Sequence, residues 1–127
     1  MQMKSTKSRL YKTALVVLTL GSGLLLAHGD MVTIAPDKTR VLFENDRIRV
    51  LETRNKPGET IPMHSHPPRF VYFMNPLSEK ITYEGKEPKV YHWKEGDVTF
   101  DEAVSLSVEN VGTSAGRNIV VELKKKP

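Results

Sequence analysis

The 127-residue chain has no cysteine. That excludes disulfides, thiol nucleophiles, thiolate metal sites and lipid anchoring through an N-terminal Cys. It has no acidic residue before Asp30, and the only basic residues in that stretch are Lys4, Lys7, Arg9 and Lys12. From Asp30 onward fifteen basic residues meet fifteen acidic ones, so the net charge of +4 belongs to the first dozen positions. A folded part so close to neutral makes no electrostatic case for nucleic acid as a partner. No apolar run reaches the ~20 residues of a bilayer-spanning helix. No later stretch sustains the 3.6-residue period of an amphipathic helix. A phosphate-cradling glycine loop and a Ser-His-Asp signature are also missing.

What is present begins with a three-part N-terminus. The basic residues come first, an apolar run follows over 14–27, and Ala27, His28 and Gly29 then put small residues at the −3 and −1 positions of a cut before Asp30. This order reads as a secretory signal peptide, and Gly21 and Gly23 weaken any persistent helix there. The expectation is a signal segment over 1–29 and one domain over 30–127. The product would be exported, periplasmic or extracellular. If uncleaved, the segment would be an N-terminal helix anchoring the protein to the membrane; a start at Met31 would leave it in the cytoplasm. His28 falls inside the segment and receives no site role. About 100 remaining residues can bury some 60–65% of their unfolded surface, enough to fold without staples.

The rest of the chain alternates short β-like runs with turn signals. Runs over 40–44, 47–54, 70–74, 80–84, 89–93, 98–100, 104–111 and 118–123 are separated by Asn, Asp, Gly and Pro clusters. Short, evenly spaced strands rich in β-branched and aromatic residues predict an all-β sandwich or barrel. The terminal Lys124, Lys125 and Lys126 read as a solvated tail.

The residues most able to carry chemistry are His64 and His66. Two positions apart on a strand, they share a face. Paired imidazoles on one inward face can reach a single metal at about 2.0–2.1 Å, although a site needs three or four ligands. Imidazole suits Zn, Fe, Ni and Cu. The simpler alternative is a pair that is solvated or hydrogen-bonded without metal.

Gly58, five residues, then His64 and His66 resembles the first half of the first cupin motif. Gly96, with Ser107, Val108, Glu109, Asn110, Val111 and Gly112, resembles the second. Residues 44–50 resemble the lead-in strand of small single-domain cupins, and 117–123 their closing strand. The resemblance implies a cupin-like double-stranded β-helix, or jelly-roll barrel, often paired as a homodimer, with a divalent metal (Fe, Mn, Ni or Zn) or a ligand in the barrel mouth. The motifs are eroded. Phe70 and Val71 stand where the family has a glutamate, Leu106 where it has the later histidine, and Glu102 and Val104 where it has Pro and Gly. His64 and His66 are the two ligands left. Asp101 or Glu102 could add a carboxylate to a 2-His-1-carboxylate set, and His92 a third imidazole; each could equally be an ordinary loop or strand residue.

The apolar replacements predict a drier pocket lined by Phe70 or Val71, Leu106, Tyr72, Phe73 and Met74, one that takes a small molecule more readily than it activates water. These residues, with Trp93 and Phe100, could instead fill the core. Arg69 could hold a ligand carboxylate bidentately or lie on the surface. Three functions remain in view. One is binding of a small ligand; another is a metal-dependent oxygenase or isomerase with an atypical third ligand; the last is a dimeric interaction module of the cell envelope.

Overall fold

The structure is a computed structural model that describes residues 28–125. The expected signal or anchor helix lies outside the described residues. Among them, no helix is long and apolar enough to cross a membrane. The chain forms one helical turn, α1 (Met31–Ile34), and nine strands: β1 (Thr39–Glu44), β2 (Ile48–Asn55), β3 (Thr60–His66), β4 (Arg69–Phe73), β5 (Leu77–Tyr83), β6 (Lys89–Trp93), β7 (Val98–Asp101), β8 (Val104–Asn110) and β9 (Gly116–Leu123). The all-β expectation holds. Eight of these strands follow the periodic runs. The ninth, β3, carries both histidines; its Pro62 and the flanking Pro57, Pro67 and Pro68 hide it in a reading based on turn signals.

Two antiparallel sheets face each other, in the orders β1-β2-β9-β4-β7 and β3-β8-β5-β6. β2 and β9 pair over eight residues, from Ile48 opposite Leu123 to Asn55 opposite Gly116. Folding the two sheets together leaves one interior between them, where Leu51, Val71, Phe73, Leu77, Ile81, Leu106 and Val120 are buried. Gly58 and Gly96, the motif glycines, turn the chain at φ +79° and +86°, a left-handed conformation that an L side chain resists. Asn110 is fully buried and structural. Its amide donates to the carbonyls of Asn55 at 2.9 Å and Ser114 at 2.8 Å, and its Oδ1 accepts from the Gly112 N–H at 3.0 Å.

α1 closes one side of the barrel. Asp30 caps it, accepting from the Thr33 N–H at 2.9 Å, the stabilising role of an N-cap carboxylate. The turn buries Met31 and Ala35 against the core. The chain just before it is docked too. The Gly29 carbonyl accepts from the Ser65 N–H at 3.0 Å, and the His28 ring lies 3.0 Å from Glu84. His28, given no role from sequence, is thus seated on the barrel surface.

A candidate ligand cavity inside the barrel

A cavity of about 270 Å³ lies between the sheets. Its five-stranded wall is layered by register. Arg49, Glu122, Arg69 and Asp101 lie side by side across β2, β9, β4 and β7. The next inward row is Leu51, Val120, Val71 and Thr99; the one after is Thr53, Asn118 and Phe73. A charged layer, an apolar layer and an amide layer therefore follow from period-2 alternation on four strands.

The histidines reach this cavity through a bulge in the facing sheet. Ile61 pairs with Val108 and His64 with Leu106, so β3 places two residues, Pro62 and Met63, opposite one on β8. The extra residue shifts the alternation, so Ile61, His64 and His66 all point inward; all three are buried. The bulge also frees the Pro62 carbonyl, which accepts from His64 Nδ1 at 2.7 Å. His66 Nδ1 lies 2.6 Å from Glu122 Oε1, and the other carboxylate oxygen of Glu122 accepts from Arg49 Nε at 2.6 Å. Arg49 continues to Asp30 at 2.9 Å, which ties the cap of α1 to the histidine through one chain of charged groups.

Protonation follows from these contacts. Burial holds His64 below its ordinary pKa and pushes His66 down to about 4. Glu122 is held below the usual carboxylate range by its bonds to His66 and Arg49, which outweigh the opposing effect of burial. Both imidazoles are therefore neutral near pH 7, with Nδ1 carrying the proton and Nε2 the lone pair. The rings meet edge to face, 4.8 Å between centroids.

Two further groups in the cavity had no signal in the sequence beyond an acidic and an aromatic residue on their strands. Glu79 on β5 is buried, and burial raises it to about 7. It accepts from Trp93 Nε1 at 3.0 Å. Trp93 stacks on Phe73 with ring centroids 4.5 Å apart.

The other sequence candidates divide. Arg69 is buried rather than a surface residue, but its Nε and Nη2 already donate to Asp101 Oδ2 at 3.2 and 3.1 Å. It is thus engaged inside the protein. Asp101 lines the cavity as the partner of Arg69. Glu102 is exposed and outside the cavity. His92 points outward from β6 and meets Ser78 Oγ at 2.8 Å. Val71, Phe73 and Leu106 line the cavity, as expected. Phe70 and Tyr72 do not: strand alternation turns them to the outside, where they are 43% and 44% exposed. Met74 lies beyond the end of β4 and is also off the wall. The cavity is accordingly less greasy than the sequence predicts, because polar residues on β2, β5 and β9 replace the absent motif ligands on its walls.

The donor set does not meet the requirement of a resident metal. Among the described residues, no group of three or more His, Cys, Asp or Glu side chains is placed to hold one. Protein metal sites of this kind use three or four such ligands, and here only the two imidazoles offer adjacent lone pairs.

Two facing antiparallel sheets with this strand order and a cavity between them define a double-stranded β-helix. A cupin domain from Bordetella pertussis has the same fold, with a TM-score of 0.64 and 21% identity over 68% of this chain and 92% of that one. An RmlC-like cupin family protein from Methanocaldococcus jannaschii matches with a TM-score of 0.58 and 19% identity, over 68% of this chain and 78% of its own. The DMSP lyase DddQ from Ruegeria pomeroyi matches with a TM-score of 0.54 and 16% identity, over 72% of this chain and 49% of its own. The chain is a small cupin-fold domain. No protein-family model matches the sequence, and no curated protein matches it.

Proposed function

We propose that the protein binds a small molecule inside its barrel and acts from the cell envelope as an exported binding protein. The observation that carries this reading is the convergence of buried polar groups on one cavity, with His66 Nε2 left without a hydrogen-bond partner. Buried polar atoms are nearly always satisfied, and ligand sites are concave, mostly apolar pockets with a few placed polar groups. A volume near 270 Å³ lies just under the range of about 300–1,000 Å³ for drug-sized ligands, so the ligand is small. Export rests on the basic, apolar and small-residue order of the N-terminus.

Trp93 is the only tryptophan of the chain and lines the cavity, so its fluorescence reports occupancy. Native mass spectrometry of protein purified from cells, with fluorescence before and after removal of any bound species, tests the reading. A small-molecule adduct whose removal shifts Trp93 emission supports it. Elemental analysis of the same sample separates the metal-dependent alternative: stoichiometric iron, manganese, nickel or zinc, lost in the variant with His64→Ala and His66→Ala, would replace this reading.

A second observation supports the homodimer. The outer face of the five-stranded sheet carries Phe43, Val50, Val121, Phe70 and Phe100 in one row across all five strands. Phe70 and Phe100 are in ring contact at 4.9 Å. Beside them lie Ile119, Tyr72 and Val98. Exposed apolar patches of this extent mark interaction sites, and a two-fold pair of copies would bury the same face on both.

A further inference from the structure

Four buried side-chain atoms among the described residues have no hydrogen-bond partner: Thr39 Oγ1, Asn55 Oδ1, His66 Nε2 and Asn118 Oδ1. Three of the four belong to residues that line the cavity. All three are acceptors, and the bonds around them fix that assignment. His66 spends its Nδ1 proton on Glu122, so Nε2 holds a lone pair. Asn55 donates through Nδ2 to the Glu59 carbonyl at 3.3 Å, so its free atom is the oxygen. The Asn118 amide nitrogen faces Glu79, which leaves Oδ1 as the unpartnered atom.

The main N–H donors of the cavity are already engaged within the protein. Trp93 Nε1 serves Glu79, Arg69 Nε and Nη2 serve Asp101, and Tyr83 lies close to Asp101. The formal charges are matched as well, Arg69 by Asp101 and Glu122 by Arg49. What the walls leave unpartnered is acceptors, and they do so at two separate levels. His66 stands over the charged layer beside Glu122, Asn118 lies in the amide layer, and Asn55 lies one row beyond it opposite Gly116. The apolar layer of Leu51, Val120 and Val71 separates the two.

We infer that the cavity selects a small uncharged molecule that carries O–H or N–H donors at both ends and carbon between them. This rests on the proposed binding role and specifies its ligand chemistry. A carboxylate would bring acceptors to acceptors and negative charge to a cavity already lined by two carboxyl groups, Glu79 and Asp101. A ligand with a donor at only one end would leave one level unsatisfied, at the cost that attaches to any buried unpaired polar atom.

The experiment compares matched probes by Trp93 fluorescence titration and ligand-observed NMR. The probes are 1,6-hexanediol, xylitol, 1-hexanol, adipate and 1,6-diaminohexane, used with the full protein and with His66→Phe and Asn118→Leu separately. Each variant is first shown by circular dichroism to be folded, and either one alone suffices. The expected result is binding of 1,6-hexanediol or xylitol roughly tenfold or more tighter than 1-hexanol, with a loss of roughly tenfold in each folded variant. No measurable binding of adipate is expected. Binding of adipate or 1,6-diaminohexane as tight as the neutral probes, equal binding of 1-hexanol, or variants that bind the diol unchanged would overturn the ligand class while leaving a cavity that binds small molecules. Silence from all five probes, together with no small-molecule adduct on protein purified from cells, would remove the binding reading itself.

Discussion

The two sheets of the barrel distribute polarity differently. The four-stranded sheet follows the usual rule. Its inner side is mainly apolar, with Ile61, Ile81, Leu106 and Val108 beside the buried His64, His66 and Glu79, and its outer side carries Ser65 opposite Ser105, Thr82 opposite Ser107, and Lys80 opposite Glu109. The five-stranded sheet is partly inverted: beside the inward Leu51, Val71, Phe73 and Val120 it also turns polar groups into the interior. Arg49, Glu122, Arg69, Asp101, Thr53 and Asn118 face inward, while Phe43, Phe70, Tyr72, Val98 and Phe100 face out. Alternation of period 2 alone permits either arrangement; what differs is what each face must meet. A sheet that needs only to fold puts its apolar side chains in the core. The five-stranded sheet gives part of its interior to a polar cavity and carries apolar surface outside, where it is useful only against another apolar surface. Most of the charged and amide groups of the interior therefore come from one sheet, while the other brings in His64, His66, Glu79 and Trp93.

The comparison breaks most readily at the charged layer. Glu122 is buried between Arg49 and His66. Removing one member of a buried, hydrogen-bonded charge group leaves the others uncompensated and costs about 3–5 kcal/mol. Glu122→Leu should lower stability by that amount in urea denaturation, despite the added apolar volume. A neutral or stabilising outcome would mean that the polar interior is incidental to the fold.

Glu79 gives the next largest effect, and one that depends on pH. Its carboxyl is raised from 4.5 to about 7 in the folded protein. Between those values the folded state holds a proton that the unfolded chain has released, so this group's contribution to stability falls as pH rises from about 4.5 to 7. The loss is on the order of 3 kcal/mol. His66, depressed to about 4 from 6.5, has the opposite slope: its contribution is complete above 6.5 and is lost as pH falls toward 4. Wild type therefore shows a partly cancelled profile. Glu79→Gln should remove the falling component, so that stability relative to wild type improves steadily from pH 4.5 to 7. Parallel denaturation curves for the two proteins across that window would contradict the assignment.

Much of the fold was legible in the sequence, because eight strands advertise themselves by alternation and by turn residues that flank them. The strand that mattered most was the least visible. β3 is crowded by prolines, and only the same-face rule for His64 and His66 pointed to it. The bulge at Pro62 and Met63, which turns Ile61 and His64 to the same side, leaves no composition signal. Phe70 was misplaced for a related reason. Motif spacing puts it where a ligand belongs, but pairing with Val121 and Phe100 sets which way it faces. Glu79, Glu122 and Asn118 were missed because each sits in an alternating run, where a polar residue is read as solvent-facing. Inverted polarity on a sheet defeats that assumption, since only tertiary pairing tells inside from outside. Arg69 shows the converse: it was seen, but its engagement with Asp101 depends on β7 lying beside β4.

The outer face offers a sharper test of the inversion. If copies of the protein pair through the five-stranded sheet, Phe70→Glu places a charge at the centre of the interface beside Phe100. Central aromatic positions in interfaces are typically worth about 2 kcal/mol or more. Sedimentation equilibrium should show the dimer dissociating at roughly 30-fold higher concentration, with folded stability of the monomer little changed. A protein already monomeric at high concentration, or a variant that associates as well as wild type, would leave the apolar face without this partner.

The smallest effect belongs to the ordinary sheet and serves as the control. Lys80 and Glu109 pair across β5 and β8 at 2.5 Å, and both are partly exposed to solvent. Exposed ion pairs are weakened by water and salt and by the entropy of holding two long side chains, which leaves about 0.2–1 kcal/mol. Lys80→Ala should therefore cost no more than that, lose most of its effect in 0.5 M salt, and change neither Trp93 emission nor association. Measured beside Phe70→Glu, it asks whether the two outer faces are unlike in function as well as in composition. A change of oligomeric state on altering Lys80 would show that the polar face also carries contacts, and the division of labour between the sheets would have to be redrawn.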